Sequence, residues 1–254
     1  MVTKKTTARY AAEQLQDDEN KTRHQPSVNN SLRIKPDHLK TFDPLTENQR
    51  LFFEMYKGGA YFMGLFGSPG VGKTFLALYK ALEEVLDKSN SFKQAVVVRS
   101  LVQLRDVGFL PGDLKDKLDP YMQPLYDALR DMIPYEKLES HLEKGIIQIA
   151  PLAFMRGRTL DNAFVILDEA QNTTHNQMKM FLTRMGKSAR FIINGDPGQI
   201  DLPRRQISGL KEAILTLKDV KGIAFIYFDD KDVIRHKLVK EIISAYKNLE
   251  VGNE

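Results

Sequence analysis

Short apolar runs alternate with amphipathic stretches along most of the chain. Six runs predict β-strands, at residues 61–66, 94–98, 146–150, 163–167, 190–193 and 223–228. Runs such as Phe164-Val165-Ile166-Leu167 are continuously apolar, which is typical of parallel strands that are buried on both faces. Strands that alternate with helices predict an α/β fold whose parallel sheet is flanked by helices.

Apolar residues between the strand-like runs recur with helical spacing. One predicted inward face comprises Phe75, Leu78, Tyr79, Leu82, Val85 and Leu86, and another comprises Met178, Phe181, Leu182 and Met185. We interpret the methionines as core residues and not as part of a cofactor site. A last helix is predicted from about residue 232 to residue 249, with an inward face of Leu238, Val239, Ile242, Ile243 and Tyr246.

Two segments interrupt this alternation. Residues 1–43 are polar and of mixed charge, so they lack the apolar surface that would offset the entropy lost on ordering, and they are predicted to form a mobile arm. Residues 99–145 contain four prolines and are predicted to form short helices and loops. The chain is therefore divided into an amino-terminal arm, residues 1–43, and a single domain, residues 44–254.

Composition excludes several classes of protein. Of 254 residues, 42% are hydrophobic, which excludes a fully disordered or collagen-like chain. The absence of cysteine excludes disulfides, a thiolate nucleophile and cysteine-ligated zinc. The formal net charge of +4 permits an anionic partner without identifying it. The absence of cysteine fits a reducing, intracellular compartment. No apolar stretch approaches the ~18 residues of a membrane span, so we expect no membrane partner.

A complete phosphate-binding motif follows the first predicted strand and precedes a predicted helix. Its residues are Gly67, Ser68, Pro69, Gly70, Val71, Gly72, Lys73 and Thr74, which match G-x-x-x-x-G-K-[ST]. The glycines allow successive backbone N–H groups to face phosphate oxygens, Lys73 reaches the β- and γ-phosphates, and Thr74 ligates Mg²⁺. The alternative is an accidental glycine-rich turn, which the flanking strand and helix make much less favourable.

Two acidic residues directly follow the fourth predicted strand. Asp168 is placed to hold the Mg²⁺ shell, and Glu169 to orient and deprotonate the attacking water. The alternative is that both acids simply precede a helix, whose positive end favours them. A complete phosphate loop in the same chain favours the catalytic interpretation.

Two glutamines are candidates for nucleotide contacts. Gln199 follows the fifth predicted strand and is placed to sense the γ-phosphate, although its Gly- and Pro-rich surroundings also suit an ordinary turn. Gln49 is placed to pair with an adenine edge, but Thr46 and Gln49 also match a capping box in which Gln49 returns to the Thr46 N–H. No Asn-Lys-x-Asp guanine reader is present, which favours ATP.

Several longer motifs resemble the PhoH-like ATPase family over roughly residues 44–247. They lie at residues 108–113, 119–121 with 124–127, 149–160, 167–174, 195–196 with 199–203, and 232–236. The family is similar in its nucleotide core to the first RecA-like domain of superfamily 1 helicases. The resemblance implies a RecA-like P-loop NTPase fold and ATP hydrolysis, with RNA binding or unwinding often proposed. It assigns the magnesium and water-activating roles to Asp168 and Glu169, and the γ-phosphate contact to Gln199.

The resemblance also makes Arg235 a candidate arginine finger, although the residues alone suit a surface arginine. Arg156 and Arg158 lie in a polar loop and either bind phosphate backbones or are solvated. The chain resembles compact members of the family, including phage-encoded ones, which implies a bacterial cytoplasm. Since its length accommodates one RecA-like domain, we expect Arg235 to act within a homo-oligomer, a hexameric ring by family resemblance.

Three functions share these motifs. The first is Mg-ATP hydrolysis coupled to binding, remodelling or unwinding of single-stranded RNA. The second is an ATP-dependent assembly switch with slow hydrolysis and no helicase activity. The third, a small-molecule phosphotransferase, is disfavoured because Asp168-Glu169 with Gln199 suits water as the acceptor.

Overall fold

Six parallel strands form one sheet in a computed structural model that describes residues 39–101, 114–203, 206–234, 238–239 and 241–242. In chain order the strands are β1 Phe62–Phe66, β2 Gln94–Arg99, β3 Ile147–Pro151, β4 Ala163–Asp168, β5 Arg190–Gly195 and β6 Ile223–Tyr227. Their spatial order is β3-β2-β4-β5-β1-β6. Each predicted run coincides with a strand, with ends that differ by one or two residues. The predicted α/β class, a parallel sheet flanked by helices, is confirmed.

Helices cover both faces of the sheet. They are α1 Glu47–Lys57, α2 Lys73–Leu86, α3 Leu114–Met132, α4 Tyr135–Glu143, α5 His175–Leu182 and α6 Gly209–Leu217. Short 3₁₀ turns occur at Leu152–Met155, Ala170–Asn172 and Asp230–Asp232. No described helix is both long and apolar enough to cross a membrane.

Alternate strand residues supply two separate cores. Met63 and Leu65 face the core that α1–α4 complete, whereas Phe62 and Phe66 face the core beneath α5 and α6. Met178 lies in the second core, as predicted, and Met185 packs against the same core from beyond the end of α5. Because both faces are covered, the carboxyl edge of the sheet remains for a ligand.

The segment between β2 and β3 differs from the prediction of short helices and loops. Pro120 and Pro124 lie inside α3, which is 19 residues long. A helix-interior proline costs about 3 kcal/mol. Burial of one large apolar side chain contributes about 1.5–3 kcal/mol, and α3 buries five: Leu118, Met122, Leu125, Leu129 and Met132. Packing therefore outweighs the two prolines.

The predicted carboxyl-terminal helix also begins differently. Residues Asp230–Asp232 form a 3₁₀ turn, because the Asp229 side chain accepts from the Lys231 N–H and the Asp229 N–H donates to Asp232. Leu238 and Ile242 are helical but exposed, at 57% and 47%, so their predicted inward orientation is wrong. The spacing of apolar residues shows that they share one face of a helix, but it does not show whether another element packs against that face. Ile243 and Tyr246 lie outside the described residues.

The described end of the predicted arm packs on the first core. Phe42 lies 5.0 Å from Phe75 and 5.6 Å from Tyr79 between ring centroids. The Lys40 N–H donates to the Met132 carbonyl at 3.0 Å. Ordered structure thus precedes the predicted boundary at residue 44, and residues 1–38 lie outside the described part of the chain.

Candidate functional site

A cavity of about 260 Å³ lies at the carboxyl edge of the sheet, where β1, β4 and β5 end. Parallel strands bring their carboxyl ends to one edge, so residues distant in sequence meet there. The lining includes the predicted residues Pro69, Gly70, Gly72, Lys73, Thr74, Asp168, Glu169 and Gln199, together with Phe75, Gln171, Asn194, Gly195 and Asp196.

The phosphate loop connects β1 directly to α2. A Cβ at Gly67 would lie 2.4 Å from the Phe228 carbonyl oxygen, so only glycine fits beside β6. Gly72 has a φ of +88° and precedes α2 without any side-chain cap. The first N–H groups of α2 therefore keep their donor capacity, and they lie at the positive end of a 14-residue helix. This is the geometry that binds phosphate.

The Lys73 ammonium is folded back onto the loop. It donates to the Gly67 carbonyl at 2.6 Å and to the Ser68 carbonyl at 2.9 Å. Burial lowers the pKa of Lys73, while the nearby carboxylates, Asp196 foremost, act in the opposite direction. The ammonium thus lies among acceptors that a phosphate oxygen can replace.

Thr74 and Asp168 meet across the cavity floor. The Thr74 hydroxyl donates to Asp168 Oδ1 at 2.7 Å. Burial raises the pKa of Asp168, while the nearby Arg99 guanidinium and the Thr74 hydroxyl lower it. A hydroxyl and one carboxylate beside a phosphate site fit Mg²⁺, which binds through few protein oxygens plus substrate phosphates. The two predicted metal ligands are therefore adjacent.

Arg99 was not predicted as a site residue. It ends β2 directly beside Asp168 in the parallel register of β2 and β4. Its guanidinium nitrogens lie 3.7 Å from Asp168 Oδ2 and 3.7 Å from Glu169 Oε1. The sequence signal for this contact is a cation at the carboxyl end of a buried strand, but recognising it requires the strand order.

Glu169 is held in an unusual conformation. Its φ of 54° and ψ of 40° are left-handed, which costs a non-glycine residue roughly 1–3 kcal/mol. Besides the Arg99 contact, Glu169 Oε2 accepts from Gln171 Nε2 at 2.6 Å. Gln171 Oε1 in turn accepts from the Asp196 N–H at 3.1 Å, at the end of β5. Gln171, also not predicted, thus ties the acidic residue to the neighbouring strand.

Asn194 presents an unsatisfied amide to the cavity. Its side chain is buried at the end of β5, and neither polar atom makes a hydrogen bond of acceptable geometry among the described residues. Buried amides are seldom left in this state, so a bound ligand or water is the natural partner. Gln199 is exposed on the following loop and lines the same cavity.

Gln49 lies beneath the phosphate loop. It is only 1% exposed; its Oε1 accepts from the Leu45 N–H at 2.8 Å and its Nε2 donates to the Val71 carbonyl at 3.3 Å. Thr46 caps α1 as expected, but the predicted return bond from Gln49 to the Thr46 N–H is wrong: the acceptor bonds Leu45 instead. Both ends of the amide are thus engaged with backbone, and adenine recognition remains a prediction.

The remaining predicted residues lie elsewhere. Arg158 is partly buried and donates to Gln148 Oε1 at 3.1 Å, whereas Arg156 is exposed. Neither lines the cavity. Arg235 lies outside the described residues.

Comparison with known proteins identifies relatives over most of the chain. The family model described as "PhoH-like protein" matches residues 41–247. A PhoH-like protein of Bacillus subtilis is 51% identical over 202 residues, which cover 79% of this chain and 62% of the relative. Protein PhoH of Escherichia coli K12 is 42% identical over 183 residues, covering 71% and 51% respectively. The chain thus spans between half and two thirds of the length of these relatives.

Among solved structures, one match is the Sulfolobus solfataricus SWI2/SNF2 ATPase core in complex with double-stranded DNA. It shares 18% sequence identity at a TM-score of 0.37, and the match covers 65% of this chain and 34% of that one.

Proposed function

Because the chain belongs to the PhoH-like protein family, we propose that its phosphate loop binds ATP and that the chain hydrolyses it with bound Mg²⁺. The strongest support is the 2.7 Å hydrogen bond between Thr74 and Asp168. It joins the start of α2 to the end of β4, where a hydroxyl, a carboxylate and the uncapped helix end converge. Mg²⁺ would be held by Thr74 and Asp168 and would neutralise charge on the phosphates.

Phosphate binding follows from groups that are already positioned. The N–H groups of the loop and of the first turn of α2 donate to the β-phosphate. The Lys73 ammonium exchanges the Gly67 and Ser68 carbonyls for phosphate oxygens, which are stronger acceptors because they are charged. The unsatisfied amide of Asn194 gains a partner in the same cavity.

Glu169 acts as the general base for water. Its carboxylate lines the cavity beside Lys73, and Arg99 and Gln171 limit its rotation. A held carboxylate orients water in line with the γ-phosphate and accepts its proton. Gln199 contacts the γ-phosphate from the loop after β5.

The test is phosphate release at saturating ATP by Glu169→Gln. General-base loss lowers turnover by about 10²–10⁴-fold, whereas affinity for a fluorescent ATP analogue is retained. Glu136→Gln, an exposed acid early in α4, is the matched control. Turnover by Glu169→Gln equal to that of the control would remove Glu169 from this role.

Hydrolysis is coupled to single-stranded RNA in this proposal, with unwinding or remodelling as the output in a bacterial or phage-infected cytoplasm. The measurement is ATP turnover with and without RNA. A turnover that RNA leaves unchanged, together with a change in solution mass on adding ATP, supports an assembly switch instead.

The active form is a homo-oligomer, with a hexameric ring as the specific proposal. The Ile234 N–H donates to the Gly70 carbonyl of the phosphate loop at 3.1 Å, so the residue before Arg235 in the chain already contacts the nucleotide site. This contact supports a role for Arg235 at the γ-phosphate, in the same or a neighbouring subunit. Mass and specific activity measured against protein concentration test the proposal, and a monomer of constant specific activity contradicts it.

A further inference from the structure

Buried side chains and hydrogen bonds fix the turn after β3 in place. Leu152 and Met155 are buried in the core under α5 and α6. Arg158 donates to Gln148 Oε1 at 3.1 Å, and its carbonyl accepts from Arg184 at 3.3 Å. The Leu160 N–H also donates to the Arg184 carbonyl at 2.8 Å. The segment from residue 152 to residue 160, called here the β3 turn, is therefore held at both ends.

An anchored turn of this kind presents a ring and a cation outward. Phe154 is 51% exposed and makes no ring–ring contact with a described residue. Arg156 is exposed and makes no ion pair within the part of the chain that the structure describes. Complete burial of a phenylalanine is worth about 1.5–3 kcal/mol, so the fold gains little from Phe154 in this position. A bound partner can recover that free energy.

Charge in the β3 turn selects an anionic partner. Between Pro151 and Leu160 the sequence contains Arg156 and Arg158 and no acidic residue. The Arg158 guanidinium is held by its hydrogen bond to Gln148, so it contributes positive charge to the turn without being free to move. Arg156 is the arginine that can contact a ligand. Gly157 has a φ of +77° and open space where a Cβ would be, so backbone of a ligand can approach closely.

A ligand with both a planar face and regularly spaced negative charges can contact the Phe154 ring and the Arg156 guanidinium at the same time. Single-stranded nucleic acid has both, because its unpaired bases stack on aromatic rings and its phosphates pair with arginine. An acidic peptide without aromatic residues would satisfy Arg156 but leave the ring of Phe154 without a planar partner. β3 also ends at the same edge of the parallel sheet as β1 and β4, so such a strand would lie on the nucleotide side of the molecule.

We propose that Phe154 and Arg156 form a contact site for single-stranded nucleic acid, in which a base stacks on the Phe154 ring and the adjacent phosphate pairs with Arg156. Arg158 positions the turn and does not contact the ligand. The inference rests on the proposed coupling to RNA and specifies where on the sheet edge the strand is held.

The test is fluorescence anisotropy of labelled oligo-U and oligo-dT with the full chain. Phe154→Ala and Phe154→Leu weaken binding by about 5- to 150-fold, the range of one base–aromatic stack, and Phe154→Tyr restores it. Leucine keeps apolar bulk without a π face, so it separates stacking from simple hydrophobic contact. Arg156→Gln reduces the slope of log affinity against log salt by about 0.7, as expected for one phosphate on a single strand.

Tyr61→Ala is the matched control. Tyr61 is 61% exposed and lies near an arginine, Arg190, but it precedes β1 at the opposite edge of the sheet. Its replacement leaves affinity unchanged. Thermal unfolding of every variant checks that its fold is retained. Mapping of crosslinks from thiouridine-substituted RNA to the β3 turn of the wild-type chain provides a readout that does not depend on mutation.

The outcomes separate the site from the proposed function. If the wild-type chain binds neither oligonucleotide, the coupling to RNA fails. If it binds but Phe154→Leu binds equally well, or polyglutamate competes as effectively as oligo-U, the stacking site is wrong while nucleic-acid binding stands. Stronger binding of oligo-U than of oligo-dT identifies RNA as the source of the ligand, and the reverse identifies DNA.

Discussion

Gln49 distinguishes structural support of the phosphate loop from recognition of the nucleotide base. Its side chain is 1% exposed and bridges the Leu45 N–H and the Val71 carbonyl. We expect Gln49→Ala to lower the free energy of unfolding by about 2–3 kcal/mol, because the Val71 carbonyl becomes buried without a partner and the deleted atoms leave a cavity. For a chain of this size the midpoint of thermal unfolding falls by roughly 4–12 °C.

Two further variants separate the causes. Gln49→Glu keeps the shape but replaces the donor that faces the Val71 carbonyl with an acceptor, so we expect a destabilisation at least as large. Thr46→Ala removes the cap of the same helix without touching the loop, and costs about 1 kcal/mol. The ordering of the three melting temperatures therefore reports the loop contact and not the helix in general.

The assay pairs thermal unfolding with the ratio of kcat/KM for ATP over GTP. If Gln49 supports the loop, Gln49→Ala and Gln49→Glu have melting temperatures below that of Thr46→Ala. Their kcat/KM values for ATP and for GTP fall by the same factor, so the ratio is unchanged. If Gln49→Ala melts with Thr46→Ala or above it while its preference for ATP disappears, the support argument is refuted and the base-reading prediction is retained.

Three more predictions follow from contacts at and near the site. Arg99→Gln removes a cation 3.7 Å from Glu169, and we expect kcat for ATP to fall by about 10- to 100-fold with little change in KM, measured by steady-state phosphate release. Asp168→Asn abolishes turnover yet raises the melting temperature at about pH 8. Burial raises the pKa of Asp168 in the folded state above its unfolded value. The carboxyl therefore stabilises the fold while it is protonated, below the unfolded pKa, and this contribution is lost as pH rises through the folded pKa. The gain in melting temperature from Asp168→Asn accordingly shrinks toward about pH 4. Thr174→Ala removes the hydroxyl oxygen that accepts from the Gln177 N–H, while the backbone N–H of residue 174 still donates to Gln177 Oε1, and it lowers the free energy of unfolding by about 1 kcal/mol in denaturant titration; an unchanged midpoint contradicts it.

Local chemistry accounts for the parts of the fold that were predictable from sequence. The strand at residues 163–167 is recognisable because it is apolar on both faces, and the phosphate loop because its glycines and lysine must occur in a fixed order. The α3 helix was missed for a physical reason. Pro120 and Pro124 are strong local signals against a helix, and only the depth of the core that receives Leu125 and Leu129 overrides them.

The site residues that were missed share a different cause. Gln171 matters because its oxygen accepts from the N–H of Asp196, which directly follows β5, and Arg99 matters because strand pairing sets it beside Asp168. Neither contact is encoded by nearby residues, since each depends on which strands are neighbours and in what register.

Strand order also explains why Glu169 tolerates its left-handed backbone. A conformation that costs roughly 1–3 kcal/mol persists only where surrounding contacts hold it. Here the contacts come from both sides of β4: from Arg99 at the end of β2 and, through Gln171, from Asp196 directly after β5. The strain is therefore balanced by contacts from the carboxyl ends of the two strands beside β4. It follows that removing either Arg99 or Gln171 should free the Glu169 carboxylate to rotate, so that the geometry of the proposed general base depends on the whole sheet edge and not on the Asp168-Glu169 motif alone.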